Sequence, residues 1–504
     1  VMGSSSGRVV TLIGAVQRII QTGGPTVFYI TDGTGTLALK GFEGAGTRAY
    51  PEINEGDVIR ATVELGTFKD ELEGEMLKVK KLTGPEHDQY LHKLTQIERQ
   101  RAEVKPVPFL VKSPILDKLR DRYIKAATEI RLAIIQNRPI IVRHHNDTDG
   151  YSAGYALERA ILPLIEKQHS SEKAAWEFYT RAPCAAPFYD IEDSIRDSSH
   201  SLSNAAKFSN KMPLVIIADN GCSPEDLMGI KQGKVHGLDF IVVDHHYFDV
   251  DVISAEVLAN INPFLVGEDG SHYSAGMLCV ELARFIGEPR DMAEIAAMAG
   301  LADRINNPTA IDAYLHLAHQ QGYTKQLLND IATVIDFISS KLRFMEAREY
   351  IEVLFGEPRD KQKALVALMA PYIRGLEAKG LALAKSSVII EQQGKNTIQW
   401  LPIPEAFPRG FYPKPGKCTG LVHDSLKEKG TTRLVSIGLM DDAMTIRATD
   451  EANFSVHLLL DFLSQRLPES FVEGGGHKNA GAIKFVPQKK KELQVLVREF
   501  VRSL

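Results

Sequence analysis

Three short apolar runs, Pro139–Val142, Pro213–Ala218 and Asp239–Val243, are each followed within a few residues by acids: Asp147 and Asp149, then Asp219, then Asp244-His245-His246. Apolar, β-branched runs of this length read as buried parallel strands. In an open α/β sheet, the residues just past the carboxyl ends of the strands line the ligand crevice. Three neighbouring strands therefore deliver carboxylates and imidazoles to one sheet edge, and Asp303 completes the set. No single protein charge balances so many acids; a pair of divalent metal ions does.

Carboxylate oxygen with imidazole nitrogen, and no thiolate, suits Mn(II), or Mg(II) with less preference for histidine, better than a closed zinc site. Two such ions about 3.5–4 Å apart are a device for in-line displacement at phosphorus, one helping to turn water into hydroxide and both neutralising phosphoryl charge. Asp219, alone on its strand, is the candidate bridge between them. The residues after Gly150 open a helix whose free N–H groups add a phosphate-binding end. Singly, each of these acids is equally an ordinary helix cap or turn former. Together, with the Asp-His-His triplet among them, they are a site.

The ordered segments HNDTDG (145–150), DNG (219–221), DHH (244–246) and GLADR (300–304) resemble the DHH phosphoesterase superfamily. GGGHKNAG (474–481) resembles the glycine-rich signature of the DHH-associated C-terminal domain. RecJ-like single-strand nucleases, particularly their archaeal relatives, combine both, and the resemblance spans residues 136–504. It implies that Asp147 holds one ion with an upstream imidazole, that Asp149, His245 and Asp303 hold the other, and that Asp219 bridges. His246 is implied to orient the site or touch the scissile phosphate. One position departs from the pattern: many members carry the first histidine four residues before the first Asp, where this chain has Arg143. His145 is favoured over His144 as the imidazole ligand, leaving Arg143 to contact phosphate or pair with an acid. In the C-terminal domain Arg447, on the strand-like Met444–Ala448, resembles the arginine that grips a nucleic-acid backbone. Gly474, Gly475 and Gly476 read either as tight-turn formers or as backbone open to a phosphate or base, with His477 beside it.

The chain's 504 residues, 44% hydrophobic, suffice for about three domains with real cores. The expected fold is α/β: a parallel-sheet DHH catalytic domain, a mixed α/β DHH-associated C-terminal domain, and an N-terminal all-β OB-like barrel. The boundaries read as barrel 8–85, helical linker 86–135, catalytic domain 136–310, helical connector 311–385 and C-terminal domain 386–504. The connector carries apolar residues at helical spacing in Ile331–Phe344 and Ala364–Met369. The resemblance places it across the cleft between the catalytic and C-terminal domains. Cys184, Cys222, Cys279 and Cys418 lack C-x-x-C spacing, so neither a disulfide framework nor a zinc ribbon is indicated. No apolar run reaches membrane-spanning length and no signal-peptide core is present, which makes a cytoplasmic location the expectation. Val1–Gly7 has the look of an expression scar and is left out of the fold reading.

Charge says less. The net charge of −5 argues against a uniformly basic coat, although metals would offset the clustered acids. Residues 376–504 carry 18 Lys and Arg against 14 Asp and Glu. There Lys414, Lys417, Lys427, Lys429 and Arg433 form either a strand-tracking patch or a solvated loop, and Gly410–Gly416 reads as a loop. Lys489–Lys491 opens a terminal helix and reads as its solvated face.

In the N-terminal region, Arg8–Ile20, Thr26–Thr31, Thr36–Phe42, Asp57–Gly66 and Glu75–Leu82 alternate as half-buried strands do, with glycine turns between them. Five strands in this space suit an OB-type barrel. Phe28, Tyr29 and Phe42 are either base-stacking residues or core, and Arg48 and Arg60 are candidate phosphate contacts. With 9 basic and 10 acidic side chains in residues 8–85, electrostatics do not choose between a nucleic-acid barrel and a protein-docking one.

The expectation is a two-metal phosphodiesterase that hydrolyses single-stranded DNA or RNA from an end, in replication or repair, with a replication or repair protein as a candidate further partner. No residue sets its polarity. One rival is the same chemistry on short oligonucleotides or cyclic dinucleotides, against which the added barrel argues. The other is a non-enzymatic replication scaffold, against which the intact acids and both DHH histidines argue.

Overall fold

A computed structural model describes residues 7–68, 71–169, 173–208, 210–287, 289–342 and 347–504. Residues 1–6 of the suspected scar, and residues 343–344 of the helical stretch read to Phe344, lie outside the described residues.

Strands β1 (Val9–Gln21), β2 (Thr26–Thr31), β3 (Thr36–Gly41), β4 (Val58–Phe68) and β5 (Glu71–Lys81) close into a barrel in the order β1-β2-β3-β5-β4. A bulge between Val16 and Arg18 accompanies the passage of the long β1 from β4 to β2. Alternation turns Val16, Phe28, Ile30, Leu39, Ile59 and Val63 inward. Phe28 is fully buried and so is core rather than a stacking residue, whereas Phe42 is exposed. The two arginines read as phosphate contacts are engaged as well: Arg48 donates to the Ile53 carbonyl and Arg60 pairs with Glu86.

The stretch read as one linker divides. Helix α1 (Pro85–Ala102) packs on the barrel, where Leu94 and Ile97 lie against Gly33 and Tyr90 donates to the Ile13 carbonyl. Gly33 has φ +86°, and a Cβ there would come 2.9 Å from Ile97. Helix α2 (Pro114–Ile135) instead buries Leu116, Leu119, Tyr123 and Ile130 in the catalytic core.

That core is built on β6 (Ile140–His144), α3 (Thr148–His169), α4 (Ala174–Phe178), β7 (Tyr179–Pro183), α5 (Ile191–Phe208), β8 (Leu214–Ala218), α6 (Pro224–Val235), β9 (Asp239–Val243) and β10 (Ala259–Ile261). The sheet is wholly parallel, in the order β10-β9-β8-β6-β7. The three strands legible in the sequence are its centre. The edges were not legible, because β10 has three residues and β7 reads Tyr-Thr-Arg-Ala-Pro without an apolar pattern.

Helices α7 (Ala275–Ile286), α8 (Ala293–Ala302), α9 (Pro308–Gln320), α10 (Lys325–Leu342) and α11 (Arg348–Leu354) complete the same core. The connector is therefore mostly catalytic-domain interior. Among the described residues of the connector, only α12 (Arg359–Ser387) bridges: at 29 residues it runs about 44 Å. Val366 and Ile373 lie in the catalytic core, while Ala384 packs with Leu401, Cys418 and Val422 of the C-terminal domain.

The C-terminal domain comprises β11 (Ile389–Gln393), β12 (Asn396–Pro402), α13 (Ile403–Ala406), α14 (Pro415–Lys427), β13 (Leu434–Leu439), β14 (Ala443–Ala448), α15 (Val456–Arg466), β15 (Glu473–His477), β16 (Ala480–Lys484) and α16 (Lys490–Ser503). Its mixed sheet runs β11-β12-β13-β14-β16-β15, with β12 and β13 parallel. Helices α15 and α16 bury Leu459, Leu463, Val497 and Val501 against Ile398, Val435, Ile437 and Ile446. Lys489 and Lys490 pair with Glu492 and Asp441 at the domain surface.

The barrel sits at the amino edge of the parallel sheet. Asn137, just before β6, donates to Gln17, and Arg18 pairs with Glu177 on α4, just before β7. Among the described residues, no helix is long and apolar enough to cross a membrane.

Candidate metal and phosphate site

Each parallel strand hands its ladder on to the residue that follows its neighbour. His145 N–H donates to the Ala218 carbonyl, Asp219 N–H to Val243 and Asp244 N–H to Ile261. The motif residues are thereby pinned to one edge, and the acids of three separate segments converge there.

Asp219 is the centre of the group. Its backbone adopts φ +62°, a left-handed conformation that costs energy for any residue but glycine and that Asn and Asp tolerate best. One carboxylate oxygen lies 3.4 Å from His245 Nε2 and the other 3.5 Å from His145 Nδ1. That second oxygen is buried without a hydrogen-bond partner. A buried carboxylate oxygen left unpaired beside an imidazole is satisfied by a cation, and the donor set fits hard divalent metals. Asp219 is shared by three potential ligand groups, with His145 and Asp147, with Asp149 and His245, and with Asp244 and His246.

His145 Nδ1 lies 3.0 Å from Asp147 Oδ2. His144 is turned away, fully buried, with Nδ1 on the His145 carbonyl; burial and nearby Arg181 hold its pKa down to about 3. Burial alone would lower the pKa of His145, but Asp147 and Asp219 raise it well above the usual value. Asp149 accepts N–H groups from Ala275 and Gly276, at 2.9 and 3.0 Å, at the positive end of α7. Burial, with Asp219 and Asp303 beside it, still pushes its pKa well up. Burial likewise raises Asp303 to about 6, although His245 opposes the shift. Acids that crowd one another into protonation are what a cation relieves.

His245 is oriented by its Nδ1, 3.2 Å from the Gly270 carbonyl, so that Nε2 faces Asp219, Asp303 and Asp149 at 3.4, 3.6 and 4.0 Å. Asp244 is a brace: its oxygens take the N–H groups of His245, His246 and Cys222 and the Nδ1 of His246. The imidazole of His246 is thus fixed, and Asp244 raises its pKa against burial.

One expectation is corrected and one alternative is decided. The amino end of α3 does not present open N–H groups to phosphate: Thr148 donates to Asp336 and Gly150 to Asp147. Of the two roles read for Arg143, the structure shows the second, pairing with an acid. Arg143 is buried, paired with Asp197 and donating to the Pro183 carbonyl.

From the C-terminal domain, His477 reaches both DHH histidines, its ring centroid 5.0 Å from His245 and 4.8 Å from His246. Arg447, Ala480 and His477 lie in register across β14, β16 and β15. Arg447 is solvent-accessible, and among the described residues its guanidinium makes no hydrogen bond or ion pair. Gly474, Gly475 and Gly476 form the edge strand β15 rather than a turn. A Cβ at Gly474 or Gly476 would lie 2.2 or 2.5 Å from a carbonyl of β16, while Gly475 faces open space. Close strand packing thus accounts for two of the three glycines.

The basic cluster is dispersed. Lys414 turns inward, donating to the Asn146 carbonyl beside Asp147 at 3.0 Å, and Lys417 pairs with Glu377. Arg433 donates to Asn396, while Lys427 and Lys429 are exposed. Sequence reading missed Asp244 as a brace, as well as Lys414 and Asp336. For the last two no sequence signal existed, because their places depend on docking between distant segments.

No family model matches the sequence. The chain is 34% identical over 519 aligned residues to an uncharacterized protein of Methanocaldococcus jannaschii, covering 95% of this chain and 67% of that one. It superposes with a TM-score of 0.78, at 34% identity, on the DHH domain of a protein described as a member of a family of ribosomal proteins. That match covers 84% of this chain and all of the other. RecJ from Thermus thermophilus, in complex with Mn2+, shares the fold at 17% identity and a TM-score of 0.52, over 81% of this chain and 59% of its own.

Proposed function

This chain belongs to the DHH phosphoesterase superfamily, and from that premise we propose that it is a two-metal phosphodiesterase that cleaves single-stranded DNA or RNA from an end. The observation that carries the reading is Asp219, whose two oxygens face separate imidazoles, one of them buried without a partner.

In this reading His145, Asp147 and Asp219 hold one divalent cation, and Asp149, Asp219, His245 and Asp303 hold the other. Mn(II) is preferred and Mg(II) is acceptable for such a set. Bound there, the cations would neutralise phosphoryl oxygens and lower the pKa of water. The protein's own contribution is positioning. Asp244 fixes His246 through Nδ1, which leaves Nε2 to donate to an oxygen of the scissile phosphate. His477 and Arg447 form the opposite wall and hold the strand, with the open face of Gly475 beside them. A wall lying within 5.0 Å of the DHH histidines favours a single strand over a duplex.

The test is Mn(II)-dependent degradation of single-stranded DNA and RNA, each labelled separately at its 5′ and 3′ ends. Immediate release of labelled mononucleotide from one end supports the reading and sets polarity and sugar preference together. Cleavage of dinucleotides or cyclic dinucleotides alone would replace it with a small-substrate phosphodiesterase.

A further inference from the structure

Arg304 and Asp424 meet across the cleft beside the site. Arg304 directly follows Asp303, with its backbone in the left-handed region at φ +55°. Its Nη2 and Nη1 lie 3.0 and 3.5 Å from the two oxygens of Asp424 on α14. This two-pronged contact is the geometry with which a guanidinium also grips a phosphate. Arg447 belongs to the same group. It pairs in register with Ser436 of β13, and the Ser436 hydroxyl is 3.0 Å from His423 Nδ1, one residue before Asp424. Arg304, Asp303 and Asp424 all lie within electrostatic reach of its guanidinium.

Two arginines and one carboxylate therefore converge next to a proposed metal ligand, and only one arginine has a partner. The partnered pair is open to water, with Arg304 72% and Asp424 38% exposed. An exposed pair of this kind contributes little to the fold, so it exchanges readily for a better anion.

We propose that Arg304 and Arg447 form a subsite for a backbone phosphate adjoining the scissile one, and that Asp424 is its internal occupant, displaced when a strand enters. The inference rests on the single-strand reading above and adds to it a competitor built into the protein. A phosphodiester carries the same charge as the carboxylate, and it engages both guanidiniums where Asp424 pairs with one. Asp424 thus raises the threshold for weak anions and yields to a strand that also occupies the metals.

The test is equilibrium binding of a cleavage-resistant phosphorothioate single strand to the whole chain with Mn(II), over a series of salt concentrations, for wild type, Asp424→Asn, Arg304→Gln and the double variant. Asp424→Asn should bind about fivefold more tightly, the equivalent of the ~1 kcal/mol that two unit charges exchange at about 4 Å in water. Arg304→Gln should bind more weakly and lower the slope of log K against log salt by about 0.7, one phosphate contact on a single strand. The gain from Asp424→Asn should vanish in the Arg304→Gln background. Asp424→Glu, which keeps the charge, should bind like wild type, and unchanged melting temperatures verify the fold of each variant.

Weaker binding by Asp424→Asn would make the pair a latch that closes the cleft for substrate, and so overturn the subsite. A gain that persists undiminished without Arg304, or an unaltered salt slope in Arg304→Gln, overturns it equally. Those outcomes leave strand cleavage by wild type intact, whereas a wild type that neither binds nor cleaves a single strand removes both readings.

Discussion

The imidazole of His477 stacks on that of His246, with ring centroids 4.8 Å apart and the planes inclined by 24°. One ring belongs to the C-terminal sheet and the other to the DHH triplet, so the two domains meet at the proposed site. Burial and the neighbouring DHH histidines hold the pKa of His477 well below the ordinary value, so it faces His246 as a neutral ring.

His477→Ala should therefore raise the half-saturating concentration of a single strand roughly tenfold, the ~1.4 kcal/mol of one lost polar contact, with a smaller effect on turnover at saturation. Steady-state kinetics check this. A fall in turnover with an unchanged half-saturating concentration would instead place His477 in the chemical step.

Asp219→Asn preserves shape and tolerates the left-handed backbone, yet it removes the charge shared by the two proposed metal positions. Turnover should drop at least about 10³-fold while the fold survives, in line with other losses of transition-state charge stabilisation. Single-turnover cleavage beside a circular-dichroism melt checks both halves. Near-wild-type activity would sink the metal assignment.

Glu281 gives a pH dependence away from the site. It is fully buried on α7, where Tyr314 donates to it at 2.7 Å and the Leu110 N–H at 3.0 Å. Burial pushes its pKa up to about 7. A carboxyl raised on folding contributes stability that is complete below its unfolded pKa, about 4.3, and is lost as pH rises through 7. The loss is on the order of 3 kcal/mol. Glu281→Gln keeps an acceptor oxygen and cannot ionise, so its melting temperature relative to wild type should climb from pH 5 to about pH 7 and level off above it. Parallel melting curves across that range would contradict the assignment.

Removing residues 1–103, the barrel together with α1, should spare cleavage of short oligonucleotides and reduce activity on long strands. The barrel contacts the amino edge of the sheet, and the five-residue strand β6, about 17 Å long, separates that edge from the proposed metal site. Cutting at residue 85 instead would strip the cover from Leu94 and Ile97. Comparing oligonucleotides of increasing length checks the prediction. Total loss on every length would mean that the barrel is needed to complete the catalytic fold.

The three central strands, the acids after them and the five barrel strands were legible because their signals are local. An apolar run and a following Asp lie within a few residues of one another, and strand alternation has period two. The same local logic made His145 preferable to His144. It failed, or left alternatives open, where a side chain's fate depends on a partner remote in sequence. Arg143 reads equally as a phosphate contact or an ion-pair partner until Asp197 folds against it, and Lys414 as part of a strand-tracking patch or a solvated loop until it meets Asn146. The open amino end of α3 is closed by Asp336, and Phe28 is drawn into the barrel interior.

The sequence by itself determined which residues can carry the proposed chemistry, since metal-binding and strand-forming capacity reside in side-chain type and spacing. Only the tertiary structure decided which charges remain free to act. An ion pair forms where docking brings two groups within a few ångströms, and no spacing along the chain encodes that distance.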